Sequence, residues 1–292
     1  MNDHNQQNTA INWFPGHMAK AIKQIKEKIN LVDIVIELVD SRAPLATTNP
    51  LLNEIISGKE FLKVFTKIDL ADDELTKEWQ KEMENQKIPA IFVNLSKNES
   101  YNKILNKIKE VMKPKYEKDI KRGLKPRTVR AMVIGIPNVG KSTFINAMAK
   151  RKSAGVGNRP GFTRSQQWIR CNDIDLLDTP GILWPNLSQN QNGVKLALIG
   201  SIKEEILPSD ELAKIAIQFL AKHYHGELIQ RYGIAYEENY FDYLEKFALK
   251  MGHLYKQDKK DYKRSENTIL SDFKNGIIGK ITLERCGDDG WF

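Results

Sequence analysis

Cysteine is nearly absent from this chain. Of 292 residues only Cys171 and Cys286 carry a thiol, far apart and without CxxC spacing. That excludes a cysteine-built zinc module and fits a reducing cytoplasm. Long apolar runs are missing too. No stretch approaches the roughly 20 residues a membrane helix requires. The polar start MNDHNQQNT lacks the apolar segment of a secretory signal, so a cytoplasmic protein with no membrane partner is expected. Internal repeats and low-complexity tracts are likewise lacking.

What is present suits a folded chain: 41% of residues are hydrophobic and 28% charged, more apolar content than disorder allows. The length exceeds the usual size of one core, so two domains or one enlarged domain are expected. The net charge of +8 is unevenly placed. Between Lys97 and Arg130 stand twelve Lys/Arg against four Asp/Glu, whereas from Pro208 onward thirteen basic residues face fourteen acidic ones. A concentrated basic segment can track a phosphate backbone, with Lys113, Lys115, Lys118, Lys121, Arg122 and Lys125 as candidate contacts. It can equally be a solvated helix face and linker, and composition leaves both open.

Short Val/Ile-rich runs read as buried strands at Asp33–Val39, Phe61–Phe65, Ala90–Val93, Ala131–Ile134 and Ile174–Leu177. Helical spacing appears at Met18–Ile29, Leu75–Asn85 and Tyr101–Met112. Alternation of this kind implies an α/β fold, a mostly parallel sheet covered by helices on both faces. Lys113–Thr128, with Pro114, Gly123 and Pro126, reads as a linker. Beyond Pro185 strand signals fade, and Glu211–Tyr224, Tyr240–Met251 and Glu266–Asn275 read as helices of a small α-helical domain.

The segment Gly135-Ile-Pro-Asn138-Val139-Gly140-Lys141-Ser142-Thr143 places G-x-x-x-x-G-K-S between an apolar strand and an apolar-periodic helix, the setting of a phosphate-binding loop. Glycines let backbone N–H groups wrap phosphates, Lys141 brings a cation to them, and the Ser142 hydroxyl can ligate Mg²⁺. Downstream, Asp178-Thr-Pro-Gly181 closes a strand. Asp178 can hold Mg²⁺ through water, and the Gly181 N–H can meet a γ-phosphate oxygen. Thr163, after the Pro-Gly turn of Asn158–Thr163, is the candidate to close over Mg²⁺ and γ-phosphate.

A phosphate loop does not say which base is bound. Phe61–Phe65 runs into Thr66-Lys67-Ile-Asp69, where a carboxylate accepts from both N1–H and the 2-amino group of guanine, a donor pair adenine lacks. The Lys67 stem can lie over the base. Thr66 stands where many GTPases carry Asn, which alters the second hydrogen-bonding arm. Asn94-Leu95-Ser96, after the next strand, can touch the base edge or be an ordinary strand end.

The order of these motifs, base-reading first and phosphate-binding second, is a circular permutation of the Ras-like order. With Trp13-Phe-Pro-Gly-His17-Met18 near the start and Asp40-Ser-Arg-Ala-Pro44 after the first strand, the chain resembles the bacterial ribosome biogenesis GTPase A group of permuted GTPases. The resemblance implies a circularly permuted P-loop GTPase domain over residues 1–188, with 97–130 joining the permuted halves. An α-helical, RNA- or ribosome-binding domain would follow over 189–292. It implies a Mg²⁺-dependent GTP-to-GDP switch that binds the immature large (50S) ribosomal subunit as a monomer, with no DNA partner. A non-catalytic GTP sensor, or a GTPase acting on another RNA, stands as the alternative.

Two further expectations concern catalysis. Ras-like enzymes place a water-positioning Gln just beyond the Gly of D-x-x-G. Here Gly181 is followed by apolar Ile182, Leu183 and Trp184. The resemblance offers His17 as the group that orients the water, while the residues alone allow His17 to cap the first helix instead. Asn138 occupies the position at which potassium-stimulated GTPases carry Asn, making it a candidate K⁺ ligand.

Overall fold

The structure, a computed structural model, describes residues 15–56, 58–125, 127–149, 167–171, 174–183, 191–202, 207–236, 238–255 and 259–287. Among the described residues one six-stranded sheet forms, in the order β3-β2-β1-β4-β6-β5. Its strands are β1 (Ile34–Asp40), β2 (Glu60–Thr66), β3 (Ala90–Phe92), β4 (Val129–Gly135), β5 (Gln167–Cys171) and β6 (Ile174–Asp178). Every pairing is parallel except β5 on β6, which adds an antiparallel edge.

Side-chain alternation along β1 explains the two covered faces. Ile34, Ile36 and Leu38 join one cluster with α5 (Glu99–Lys121) and α6 (Lys141–Ala149). Val35 joins another with α1 (Pro15–Lys28) and α3 (Pro50–Ile55), and Val39 packs with Trp79 and Met83 of α4 (Asp73–Asn85). Between β1 and α3 lies a single turn, α2 (Pro44–Thr47).

The helical end of the chain comprises α7 (Gln191–Leu198), α8 (Ser209–His223), α9 (His225–Tyr232), α10 (Tyr240–Lys250) and α11 (Tyr262–Lys274). Its apolar residues, among them Leu212, Phe247 and Leu283, are continuous with the α5/α6 face of the sheet. Buried polar links join the same surfaces. Glu284 accepts from Leu45 N–H at 2.5 Å and Ala46 N–H at 3.1 Å and pairs with Lys195 at 3.0 Å. Burial raises the Glu284 carboxyl, opposed by the Lys195 cation.

Helix α5 corrects the expected linker. It runs through Pro114 to Lys121. The ring removes one N–H, yet the next turn is held to the sheet because Lys115 Nζ reaches Asp33 at 2.9 Å. Arg127 grips the same carboxylate at 2.6 Å. Burial works against the Asp33 charge, but these bonds outweigh it and lower its carboxyl below the usual range.

Candidate functional site

In an open parallel sheet, ligands bind beyond the carboxyl ends of the strands where strand order reverses. Here β1 to β3 step one way from the centre and β4 to β6 the other, so the reversal falls between β1 and β4. Apart from His17 in α1, the motif residues that are described lie at or just after the carboxyl ends of these parallel strands. Asp40 ends β1, Thr66 ends β2, Asn94 follows β3, Gly135 ends β4 and Asp178 ends β6.

The phosphate loop links β4 to α6. Within it Asn138 (φ 56°) and Gly140 (φ 106°) take left-handed backbone, a geometry that glycine adopts freely and asparagine tolerates. Lys141 opens α6 and donates from Nζ to the Gly135 carbonyl at 3.0 Å and the Ile136 carbonyl at 2.6 Å. Burial lowers its ammonium to about 8, while the Asp178 carboxylate pulls the other way. Ser142 and Thr143 stand exposed in the first turn of α6, and Val139 is buried.

The Asp178–Gly181 loop lies against this one. A Cβ built on Gly181 would sit 2.9 Å from Pro137 N and 3.0 Å from Lys141 Nζ, so only glycine lets the chain pass this close. Thr179 ties the loop down by donating to the Val133 carbonyl at 2.7 Å. Ile182 and Leu183 turn into the core, at 1% and 3% exposure, and cannot present a polar atom to water.

The Thr66–Asp69 segment, expected to read the base, meets the phosphate loop from the other side. The Thr66 hydroxyl lies 3.1 Å from the Val39 carbonyl and 2.8 Å from the Val139 carbonyl, so it bridges strand end and loop. Lys67, at φ 58°, donates from Nζ to the Asn138 carbonyl at 2.9 Å and pairs with Asp40 at 2.8 Å. A Cβ on Gly140 would come within 3.4 Å of Leu95, which brings the loop after β3 to the same place. Asp69 is exposed and lines a cavity of about 240 Å³ with Asn94 and Lys97. The Asn94 side chain shapes its own turn, accepting from Ser96 N–H at 2.8 Å.

Two sequence expectations are not placed. Thr163 lies outside the described residues. Of His17 only the backbone is described, the side chain lying outside them, and that backbone is inside α1, two residues past its first residue, Pro15. Proline is favoured at the first helical position, and His17 is therefore not the N-cap.

Several residues at this edge form a network whose partners the sequence did not reveal. Asp40 is fully buried, and burial alone would raise it. Arg42 and Lys67 instead hold its carboxyl well below the usual carboxylate range. Arg42 binds both Asp40 oxygens, at 3.0 and 2.9 Å, and also reaches the Lys274 carbonyl at 2.8 Å and the Ile199 carbonyl at 3.0 Å. Asn138 Nδ2 adds a bond to the Gly200 carbonyl at 3.0 Å. The helical end therefore touches both the turn after β1 and the phosphate loop. The sequence marks the Asp-Ser-Arg segment after the first strand through the family resemblance and Asn138 as a candidate K⁺ ligand, but not their contacts with the helical end.

As a metal site, the Ser142 hydroxyl and Asp178 carboxylate are hard oxygen donors of the kind Mg²⁺ accepts, with phosphate and water completing its shell. Among the described residues no group of three or more His, Cys, Asp or Glu gathers into a protein-only metal cage.

Comparison with known proteins gives a consistent picture. A family model described as "50S ribosome-binding GTPase" matches residues 130–228, which begin at the strand before the phosphate loop. Over 276 residues the chain is 42% identical to "Ribosome biogenesis GTPase A" of Bacillus cereus, covering 94% of this chain and 93% of that one. Among solved structures it is similar to GNP-bound YlqF from T. maritima, with TM-score 0.66, 27% identity, and coverage of 92% and 99% of the two chains. The GDP-bound YlqF structure aligns with TM-score 0.67 and 28% identity, covering 91% of this chain and 100% of that one.

Proposed function

The chain belongs to the ribosome biogenesis GTPase A family, and from that membership we propose that its GTP form engages an immature large ribosomal subunit, promotes a late assembly step and is released after hydrolysis. It is a GTPase, and its ligand is a guanine nucleotide. The observation that supports switching is the joining of the helical end to both nucleotide-facing loops, through Arg42 at β1 and Asn138 in the phosphate loop. A shift of either loop on losing the γ-phosphate would be felt at Ile199, Gly200 and Lys274.

In this reading Asp69 selects guanine, Lys67 and Thr66 brace the base-reading turn, and Leu95 and Ser96 border it. Backbone N–H groups of Val139, Gly140 and Thr143 and the Lys141 ammonium hold the phosphates. Ser142, Asp178 and Thr163 would hold Mg²⁺, which neutralises charge developing on the phosphates. Asn138 would offer its carboxamide oxygen to K⁺. Gly181 senses the γ-phosphate, Ile182 and Leu183 are buried, and the family resemblance points to His17 as the group that orients the attacking water. The exposed Lys113, Lys118, Lys121, Arg122 and Lys125 and the helical segment 189–292 would contact ribosomal RNA. Lys115 is committed to Asp33.

The test is co-sedimentation with purified large subunits in a GTP analogue and in GDP, with GTP turnover measured in the presence and absence of subunits. Analogue-dependent binding and faster turnover are expected. Binding indifferent to nucleotide, with unstimulated turnover, would contradict the proposal.

A further inference from the structure

We propose that Asn49 is a positioning residue for GTP hydrolysis, holding the backbone just after Gly181 where that glycine can meet the γ-phosphate. The inference rests on the reading above that Gly181 senses this phosphate.

Asn49 is fully buried in the connection between α2 and α3, and each of its groups is engaged. Its backbone N–H donates to Glu37 at 3.2 Å. Its Oδ1 accepts from Leu51 N–H at 3.0 Å, capping α3. An amide oxygen committed to an N–H donor leaves the nitrogen on the other branch, so the network fixes the orientation of the carboxamide. That nitrogen donates to the Ile182 carbonyl at 3.2 Å.

Ile182 is thereby held at both ends of its backbone, since its own N–H donates to the Gly135 carbonyl at the root of the phosphate loop at 3.3 Å. Gly181 precedes it with no room for even a methyl group against Pro137 and Lys141. Asn49 is itself anchored. Glu37 pairs with Lys63 at 3.4 Å, and Lys63 donates to Thr48 Oγ1 at 3.1 Å. A cap alone would be served by serine or aspartate. What asparagine adds is the second arm, across to the Asp178–Gly181 loop.

The experiment compares the parent with Asn49→Ser, which keeps a cap acceptor but is too short to reach Ile182. Asn49→Asp is the second variant; it keeps size and cap and sets an oxygen against the Ile182 carbonyl. Hydrogen exchange of residues 178–183 is followed in GDP and in a non-hydrolysable GTP analogue, alongside both affinities, turnover and melting. The parent should show extra protection in the analogue. Both variants should lose that difference, with turnover down about tenfold and GDP affinity within about twofold, the size of effect expected from one misplaced transition-state contact. If the parent shows no analogue-dependent protection, the γ-phosphate reading of Gly181 fails and this proposal falls with it. If the parent shows it and a folded variant retains it at parental turnover, Asn49's role alone is overturned. Equal losses of GDP and analogue affinity would also overturn it, because they mark a general structural role.

Discussion

At Lys141 burial and ligand chemistry pull in opposite directions. Burial brings its ammonium from 10.5 to about 8 in the free protein. Between those two values the unfolded chain binds the extra proton, so stability of the free protein should rise with pH across that window. A triphosphate favours the charged amine. Above about pH 8 binding must therefore take up a proton, and affinity should fall as pH rises. Calorimetry at about pH 8.5 in two buffers of different ionisation enthalpy reads this uptake directly, and Lys141→Ala should abolish it along with most of the affinity. No proton uptake in the parent would contradict the placement of Lys141 on the phosphates. Thr66→Val removes the hydroxyl bridging Val39 and Val139. One missing hydrogen bond of about 1 kcal/mol predicts roughly fivefold weaker nucleotide binding, measurable by fluorescent titration. Parental affinity would show that the bridge does not brace the site. The phosphate-loop residues were legible because glycine and lysine at fixed spacing have few other uses. Asp40 and Arg42 were marked only as part of a segment resembling the family's, and Asn49 not at all, because ordinary polar residues reveal a role only once partners as distant as Ile199 and Ile182 are placed.

At the scale of elements, the strands at the centre of the sheet were readable because burial on both faces gives nearly continuous apolar runs, as in Ala131–Ile134 of β4 and in β1, which Glu37 interrupts before Leu38. Strand β5 escaped, since Gln167–Cys171 mixes polar and apolar residues as an edge strand does. Helices α2 and α3 span 4 and 6 residues, too short for a helical period to register. The run of α5 past Pro114 was missed because a proline normally ends a helix, and the compensating bond of Lys115 to Asp33 is invisible in sequence. The continuation carries exposed cations on a rigid element. Reversing Lys118, Lys121 and Arg122 to Glu should weaken large-subunit binding at every salt concentration and flatten its salt dependence, by roughly 0.7–0.9 in slope for each phosphate left unneutralised. An unchanged slope in co-sedimentation would exclude this face from the RNA-binding surface.

On the scale of the whole molecule, permutation is harmless because the sheet is built from spatial neighbours. Two runs of strands, β1 to β3 and β4 to β6, each deliver their loops to one edge. The helical end closes over that edge and shares its core, a continuity that the change of sequence character near residue 190 did not reveal. Its buried fastening is Glu284 with Lys195. Removing one partner of a buried pair typically costs about 3–5 kcal/mol. Glu284→Ala should therefore lower the denaturant midpoint markedly, and a parental midpoint would show that the fastening is dispensable. The central claim is that a segment preceding the phosphate loop in the chain reads the base at the same site. Asp69→Asn tests it most directly, by titrating guanine and xanthine nucleotides against parent and variant. The account predicts a switch of preference from guanine to xanthine of about 2 kcal/mol or more, with phosphate binding intact. Unchanged guanine affinity in the variant would contradict it.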